Sequence, residues 1–321
     1  MAERISGLYY GPQENSFVSG KEVSRRLALS GELPRVETEI PIHKDWKYWD
    51  SRFRDRKDEY RESIQEPENN HIVVDFPNRT TLNFIGDLHV GSPYVNYDRI
   101  AQEAETIVNT PDSYVVAMGD WVDGFFFNPA QMQQMEQPPQ QRQYMISLLE
   151  YFSSNNRLIL SLSGDHDMWA SKMGIDPYEE FSNRFNAHFM QGVGYMTANV
   201  GEAQYKISMA HRHGGFSIYN NAHSAMRLMR EDAQGADILV TAHTHRKGYV
   251  RQAVKDFGGE SRKVDFIVVG PYKSTDDYAR KLGFSQQTPN EMFGSAVILE
   301  KDTKKVTYFD DILDASNDMV R

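Results

Sequence analysis

Five short segments, all lying between residues 87 and 245, carry aspartates and histidines of the kind that hold metal ions. They are Asp87-Leu88-His89, Gly119-Asp120-Trp121-Val122-Asp123, Gly164-Asp165-His166-Asp167, His211, and His243-Thr244-His245. Each follows an apolar run that reads as a buried strand: Thr81 to Ile85, Tyr114 to Met118, Leu158 to Leu162, Tyr205 to Ala210 and Ile238 to Ala242. Side chains at the carboxyl ends of strands collect at one edge of a sheet, where loops build ligand sites. Carboxylates and imidazoles crowded there repel one another or stay unpaired unless cations join them. A metal centre is expected, and one that holds two ions.

Two ions about 3.5–4 Å apart need a rigid carboxylate shared between them. Asp120 is the candidate, being the first polar residue off its strand, with Gly119 before it to allow a tight turn. The chain has no cysteine, so the donors are nitrogen and oxygen. That mixed set suits two divalent transition-metal ions, manganese first and then iron, zinc, cobalt or nickel, better than calcium or magnesium.

The order of the blocks resembles the calcineurin-like metallophosphoesterases, whose pattern runs D-x-H, G-D-x-x-D, G-N-H-D/E, H and G-H-x-H. The likeness covers roughly residues 80 to 310. Two positions depart from it: Asp165 stands where the family has Asn, and Ala242 replaces the Gly before the last His-x-His pair. The resemblance implies that Asp87, His89 and His245 complete one site with Asp120, while Asp165, His211 and His243 complete the other. For the lone histidine two residues compete. His211 directly follows its strand and is preferred, whereas the glycine that often follows this ligand in the family favours His213. The resemblance also implies attack by a hydroxide bridging the two metals, with His166 protonating the leaving oxygen. A nearby carboxylate, Asp123 or Asp167, would keep that imidazole charged.

Asp165 changes the charge of the site. With Asn there, two dications and two carboxylates sum to about +2; with Asp the sum is about +1. A phosphodiester, with one negative charge, loses less from this than a monoester does. Arg212, His213, Asn220, Asn221 and His223 follow the fourth block and are placed to line the cleft and touch substrate oxygens. Asn220 and Asn221 are equally suited to capping the helix that follows. The H-R-H-G-G-F-S…N-N-A-H stretch resembles phosphoesterases carried by bacteriophages and prophages.

The 321 residues are 40% hydrophobic, enough for one large α/β domain and an appendage, and the net charge of −10 argues against a globally basic nucleic-acid binder. The charge is uneven, because residues 21 to 62 hold 11 Lys/Arg against 10 Asp/Glu. No apolar run approaches membrane-spanning length and no signal-like start follows Met1, so a cytoplasmic protein without membrane association is expected. The expected organisation is an N-terminal extension, 1–75, and a catalytic domain, 76–321.

Within the extension, residues 1 to 20 read as an extended or disordered lead and Lys21 to Leu29 as a helix. Lys44 to Lys57 interleaves Trp46, Tyr48, Trp49 and Phe53 with six basic and three acidic residues. Such a segment can stack bases and meet phosphates, or its aromatics can pin the arm to the domain.

In the domain, strands near 80–86, 113–119, 157–163 and 237–242 alternate with helices from Tyr97 to Val108, Arg142 to Phe152, Asp176 to Phe189 and Ala222 to Ala233. Later strands at 264–269, 294–299 and 304–309 suit a second sheet, and the glutamine-rich stretch from Asn128 to Gln143 a polar loop over the site. The pattern predicts a four-layer α/β/β/α sandwich of two mixed β-sheets flanked by helices.

The expected activity is metal-dependent phosphoester hydrolysis, directed at phosphodiesters of DNA, RNA or nucleotides. Two other readings stay open: a phosphomonoesterase, and an attenuated metal-binding interaction module. Oligomeric state is not legible.

Overall fold

The computed structural model describes residues 4–5, 8–10, 17–19, 46–63, 70–125, 134–169, 181, 184–185, 187–215, 217, 219–255, 258–281, 283 and 286–321. The chain divides into two compact units, Met1–Glu66 and Pro67–Arg321.

In the first unit, three short strands, β1 (Arg4–Ile5), β2 (Leu8–Tyr10) and β3 (Phe17–Ser19), form a small antiparallel sheet where an extended or disordered lead was expected. The aromatic-basic segment is an α-helix, Trp46–Ser63. The helix expected over Lys21 to Leu29 lies outside the described residues.

The second unit holds two six-stranded sheets. One has the order β15-β14-β5-β6-β7-β8, built from Val306–Phe309, Ser295–Leu299, Thr80–Ile85, Ser113–Ala117, Leu158–Leu162 and His188–Met190. The other has the order β12-β13-β11-β10-β9-β4, built from Gly248–Lys255, Ser261–Val268, Ile238–Thr241, Ala203–Ala210, Val193–Val200 and His71–Phe76. Strands β5 to β8 run parallel, as do β10, β11 and β13, while β14, β15, β9 and β12 introduce antiparallel pairs. Both sheets are therefore mixed, as expected.

The two sheets pack face to face. Leu82, Phe84, Val116 and Leu160 from one meet Met196, Tyr205, Ile207 and Val240 from the other in a single buried cluster. The alternate residues Val115 and Ala117 face the opposite way and pack with Ile100, Ile107, Leu149, Phe152 and Ile312, which lie on helices Tyr97–Asn109, Pro138–Ser154 and Ile312–Val320. On the far side of the other sheet, Leu239, Phe266 and Val268 pack with Ala225 and Leu228 of helix His223–Glu231. Burial of both faces explains why these strands read as continuous apolar runs. Among the described residues no helix is long and apolar enough to cross a membrane.

Four expectations change. The late strands do not share one sheet: β13 joins β11, whereas β14 and β15 extend the first sheet antiparallel to β5. Strand β4 pairs in parallel with β9, so residues 71–75 belong to the sandwich rather than to the extension. Residues 188 and 189, expected to end a helix, lie in strand β8, and most of that expected helix falls outside the described residues. The glutamine-rich stretch becomes helical from Pro138, where Pro at the first helical turn costs no hydrogen bond.

Candidate metal centre

Parallel pairing puts the carboxyl ends of β5, β6 and β7 at one edge of their sheet, and β10 and β11 do the same across the sandwich. Adjacent strand-end loops are tied by main-chain hydrogen bonds: Asp87 N to Gly119 O at 2.9 Å, His89 N to Asp120 O at 3.1 Å and Ala242 N to His211 O at 3.0 Å. Among the described residues, five of the nine non-glycine residues at positive φ are Asp87, His89, Asp120, His243 and His245. Such left-handed backbone is strained, and its concentration here indicates that the surroundings dictate where these side chains go. Gly119 and Gly164 let two loops touch. A Cβ on Gly119 would lie 2.6 Å from Gly164 N, and one on Gly164 would collide with the backbone and carboxylate of Asp120.

Among the described residues two donor clusters share no residue, Asp87 with His89 and His245, and Asp120 with His211 and His243; a third group, His89 with Asp123 and His166, shares His89 with the first. In the first, His89 Nε2 lies 2.8 Å from His245 Nε2, and Asp87 Oδ1 lies 3.6 Å from His245 Nε2 and 3.9 Å from His89 Nε2. Asp87 is oriented by its other oxygen, which accepts from His243 N at 2.8 Å. In the second cluster, His211 Nε2 lies 3.1 Å from Asp120 Oδ2, and the opposite ring nitrogen donates to Met118 O at 2.7 Å. Asp120 Oδ2 is also 3.9 Å from His89 Nε2, so this one oxygen faces both clusters, while Oδ1 accepts from His166 N at 2.8 Å.

The donor set fits a pair of divalent cations. Asp87 Oδ1 is buried and has no hydrogen-bond partner, which a buried polar atom rarely tolerates. Burial lowers His89 to about 4 and also lowers His243 and His245, so these imidazoles are neutral at physiological pH, the form that ligates. Burial raises Asp87, to about 7, helped by the charge of Asp120. Burial opposes the ionisation of both members of the Asp120–His211 pair, but their mutual attraction wins: Asp120 falls well below the carboxylate range and His211 rises to about 10. A cation would relieve each of these conditions.

Around the clusters, several residues take places that sequence order alone does not specify. Asp165 stands at the rim, with Oδ2 3.6 Å from His243 Nδ1 and 3.1 Å from Arg212 Nη1. His213 turns away from the clusters to Asp232, at 2.8 Å, so the position two residues beyond His211 does not face the metal donors. Asn220 accepts from Ala222 N at 3.0 Å and Asn221 donates to Lys247 O at 3.0 Å, so both brace the turn into the next helix. Asn220 and His223 also line a small pocket with Ser217, Thr244 and Arg246.

His166 is held firmly. Its Nδ1 donates to the main-chain carbonyl of Asp123 at 2.6 Å, and its ring stacks on Trp169 with centroids 4.2 Å apart. Asp123 and His166 lie in one group with His89, their donor atoms within 4.8 Å of one another, but the hydrogen bond from the ring goes to the Asp123 main chain and not to its carboxylate. The Asp123 carboxylate instead faces His89 Nδ1 at 3.4 Å and accepts from Lys273 Nζ at 2.8 Å. Asp167 is half-buried and accepts from Trp121 N at 3.0 Å and Gly164 N at 3.2 Å, tying two loops together. Both carboxylates are drawn to nearer donors than the imidazole.

Lys273 and Gln141 were missed. Lys273 follows β13, which runs parallel to β11, and its buried ammonium bridges Asp123 and Asp276. The same logic of strand carboxyl ends points to it once β13 is placed beside β11. Gln141 accepts from Gly124 N at 2.9 Å and donates to Glu136 O at 2.8 Å, fixing the loop after Asp123, and carries no signal in a glutamine-rich stretch.

The calcineurin-like phosphoesterase family (Metallophos) matches residues 80–270, more than half of the chain. The chain belongs to this family. The matched region contains both donor clusters and His166. No curated protein matches the chain. Similar solved structures include vacuolar protein sorting 29 from Cryptosporidium parvum, at 17% identity and a TM-score of 0.34, covering 72% of this chain and 96% of that one. The Pseudomonas putida nuclease MPE is similar at 9% identity and a TM-score of 0.30, covering 71% and 87%. Thermus thermophilus sulfate thiohydrolase SoxB is similar at 10% identity and a TM-score of 0.36, covering 79% and 59%.

Proposed function

We propose that this member of the family is a two-metal phosphodiesterase acting on nucleic acids or nucleotides. The observation that carries the two-metal reading is the single oxygen of Asp120 facing both donor clusters, 3.1 Å from His211 and 3.9 Å from His89. Two divalent ions held there would supply Lewis acidity and lower the pKa of an attacking water. The chain's own residues do the rest. Asp120, pinned through Oδ1 by His166 N, keeps the clusters in register. His166 spends its Nδ1 proton on the Asp123 carbonyl, which leaves Nε2 to hold the proton for the leaving oxygen. Arg212, beside Asp165 at the open rim, is placed to orient a non-bridging phosphoryl oxygen.

The preference for diesters rests on Asp165. Its carboxylate beside His243 adds a third negative charge to the site, bringing the sum with two dications to about +1. A monoester dianion is attracted less strongly by that charge than by the +2 of an Asn-containing site. Hydrolysis of bis(nitrophenyl) phosphate and nitrophenyl phosphate, measured with metal analysis, tests the proposal. The expected result is two ions per chain and faster cleavage of the diester. Asp120→Ala should lose both ions and several orders of magnitude in rate. Retention of one ion would refute the shared oxygen, and faster cleavage of the monoester would refute the diester reading.

A further inference from the structure

The helix Trp46–Ser63 lies in the N-terminal unit, and the donor clusters found among the described residues are all built from residues 87 to 245. Trp46, Trp49 and Phe53 are spaced by three and four residues, so they share one face of it. All are open to solvent, at 70%, 45% and 65% exposure. The Trp49 and Phe53 rings lie 30° from parallel with centroids 6.0 Å apart. Arg52 stands 5.9 Å from the Trp49 ring and Lys47 5.9 Å from that of Trp46. At 3.6 residues per turn, Arg56 and Lys57 fall on either side of this ring stripe.

Charge points the same way. From 46 to 57 the helix carries five cations against two carboxylates, a net of +3, and Asp58, Glu59, Arg61 and Glu62 bring the whole helix to +1 in a chain of −10. One carboxylate, Asp50, is already held by Arg54 at 3.0 Å. The same stretch contains no aliphatic residue. A helix that forms a dimer seam would offer leucine, isoleucine or valine there. Flat rings alternating with cations match unpaired bases on a phosphate backbone.

We propose that this helix is a docking face for single-stranded nucleic acid. Bases stack on Trp46, Trp49 and Phe53 while Arg52, Arg56 and Lys57 meet the phosphates. The inference deepens the phosphodiester reading and rests on it for its role in catalysis, but its binding step is measured separately.

The test uses the full, metal-loaded chain and a fluorescent phosphorothioate oligo(dT), which resists cleavage, with anisotropy read across a salt series. Binding should be tighter than to a blunt duplex of the same length. Trp46→Ala with Phe53→Ala should weaken it by about 10-fold or more. Arg52→Glu with Arg56→Glu should also flatten the salt slope, by roughly 0.7 for each lost phosphate contact. Hydrolysis of bis(nitrophenyl) phosphate should stay unchanged in both variants, since the donor clusters are built from other residues. Oligonucleotide affinity that ignores both variants would overturn the proposal. So would variants that change only binding to anionic phosphatidylserine vesicles, or only the sedimentation mass of the chain. A wild-type chain that binds oligo(dT) in this way but never cleaves the diester would support the docking face and sink the phosphodiesterase reading alone.

Discussion

Replacing Lys273 with methionine keeps most of the side chain's apolar stem and removes its charge. The ammonium donates to Asp123 and Asp276 at 2.8 Å each, and those side chains are only 4% and 7% exposed. The variant therefore strands two buried carboxylates. Breaking a buried pair from one side costs about 3–5 kcal/mol. Asp123 supplies a second gauge: burial would raise its pKa, but the contacts of His89 and Lys273 hold it at about 2. Against an ordinary carboxylate this corresponds to about 2.5 kcal/mol at neutral pH, shared between His89 and Lys273.

The sign follows from the depressed value. This stability is present above about pH 4 and is lost as pH falls through about 2, and Lys273→Met should move the loss to higher pH. Urea unfolding in EDTA should show a loss of about 3 kcal/mol at pH 7, smaller at pH 4.5. Adding Asp123→Asn should recover part of it, because one stranded charge disappears. Metal affinity should fall roughly 10–100-fold, since Asp123 then no longer fixes His89 Nδ1. A loss below about 1 kcal/mol, strict additivity with Asp123→Asn, or unchanged metal affinity would refute the assigned role.

Three further outcomes are expected. His166→Ala should keep its metal and slow hydrolysis by about 10²–10⁴-fold, with a smaller defect on nitrophenyl leaving groups, which need no proton; equal defects on all leaving groups would assign His166 another task. Asp165→Asn should weaken metal retention and raise monoester relative to diester cleavage, and an unchanged substrate ratio would show that its charge does not select substrate. In metal-free protein His211 is raised to about 10 by Asp120 and Asp87 against burial, and Asp87 to about 7 by burial and Asp120. Both shifts favour the protonated form in the fold, and above about pH 7 the lowered His89, His243 and His245 no longer oppose them, so metal-free stability should decline as pH rises from about 7 to 10 while metal affinity climbs, with proton release on binding; calorimetry in buffers of different ionisation enthalpy measures this, and pH-independent affinity would contradict it.

Residue type and position were enough to expect that these side chains meet, because each follows directly on a buried strand and strand ends gather at one sheet edge. Asp87, His89, Asp120, His211, His243 and His245 converge as their order suggested. The sandwich was equally legible, since burial of both sheet faces writes itself into unbroken apolar runs. Neighbours brought together from distant segments were not. That the Asp123 carboxylate meets an ammonium as well as the His89 imidazole depends on Lys273, which is 150 residues away in sequence and arrives only when β13 pairs with β11. His213 differs from His211 by two positions, yet Asp232 at the end of a packed helix claims it. The late strands divided between sheets for the same reason: β14 adds to the edge of β5, a pairing that no local pattern encodes. Local sequence sets what a side chain can do and which strand end carries it. Long-range pairing decides which partner reaches it first, and in a buried site the nearest charge or hydrogen-bond donor takes the contact.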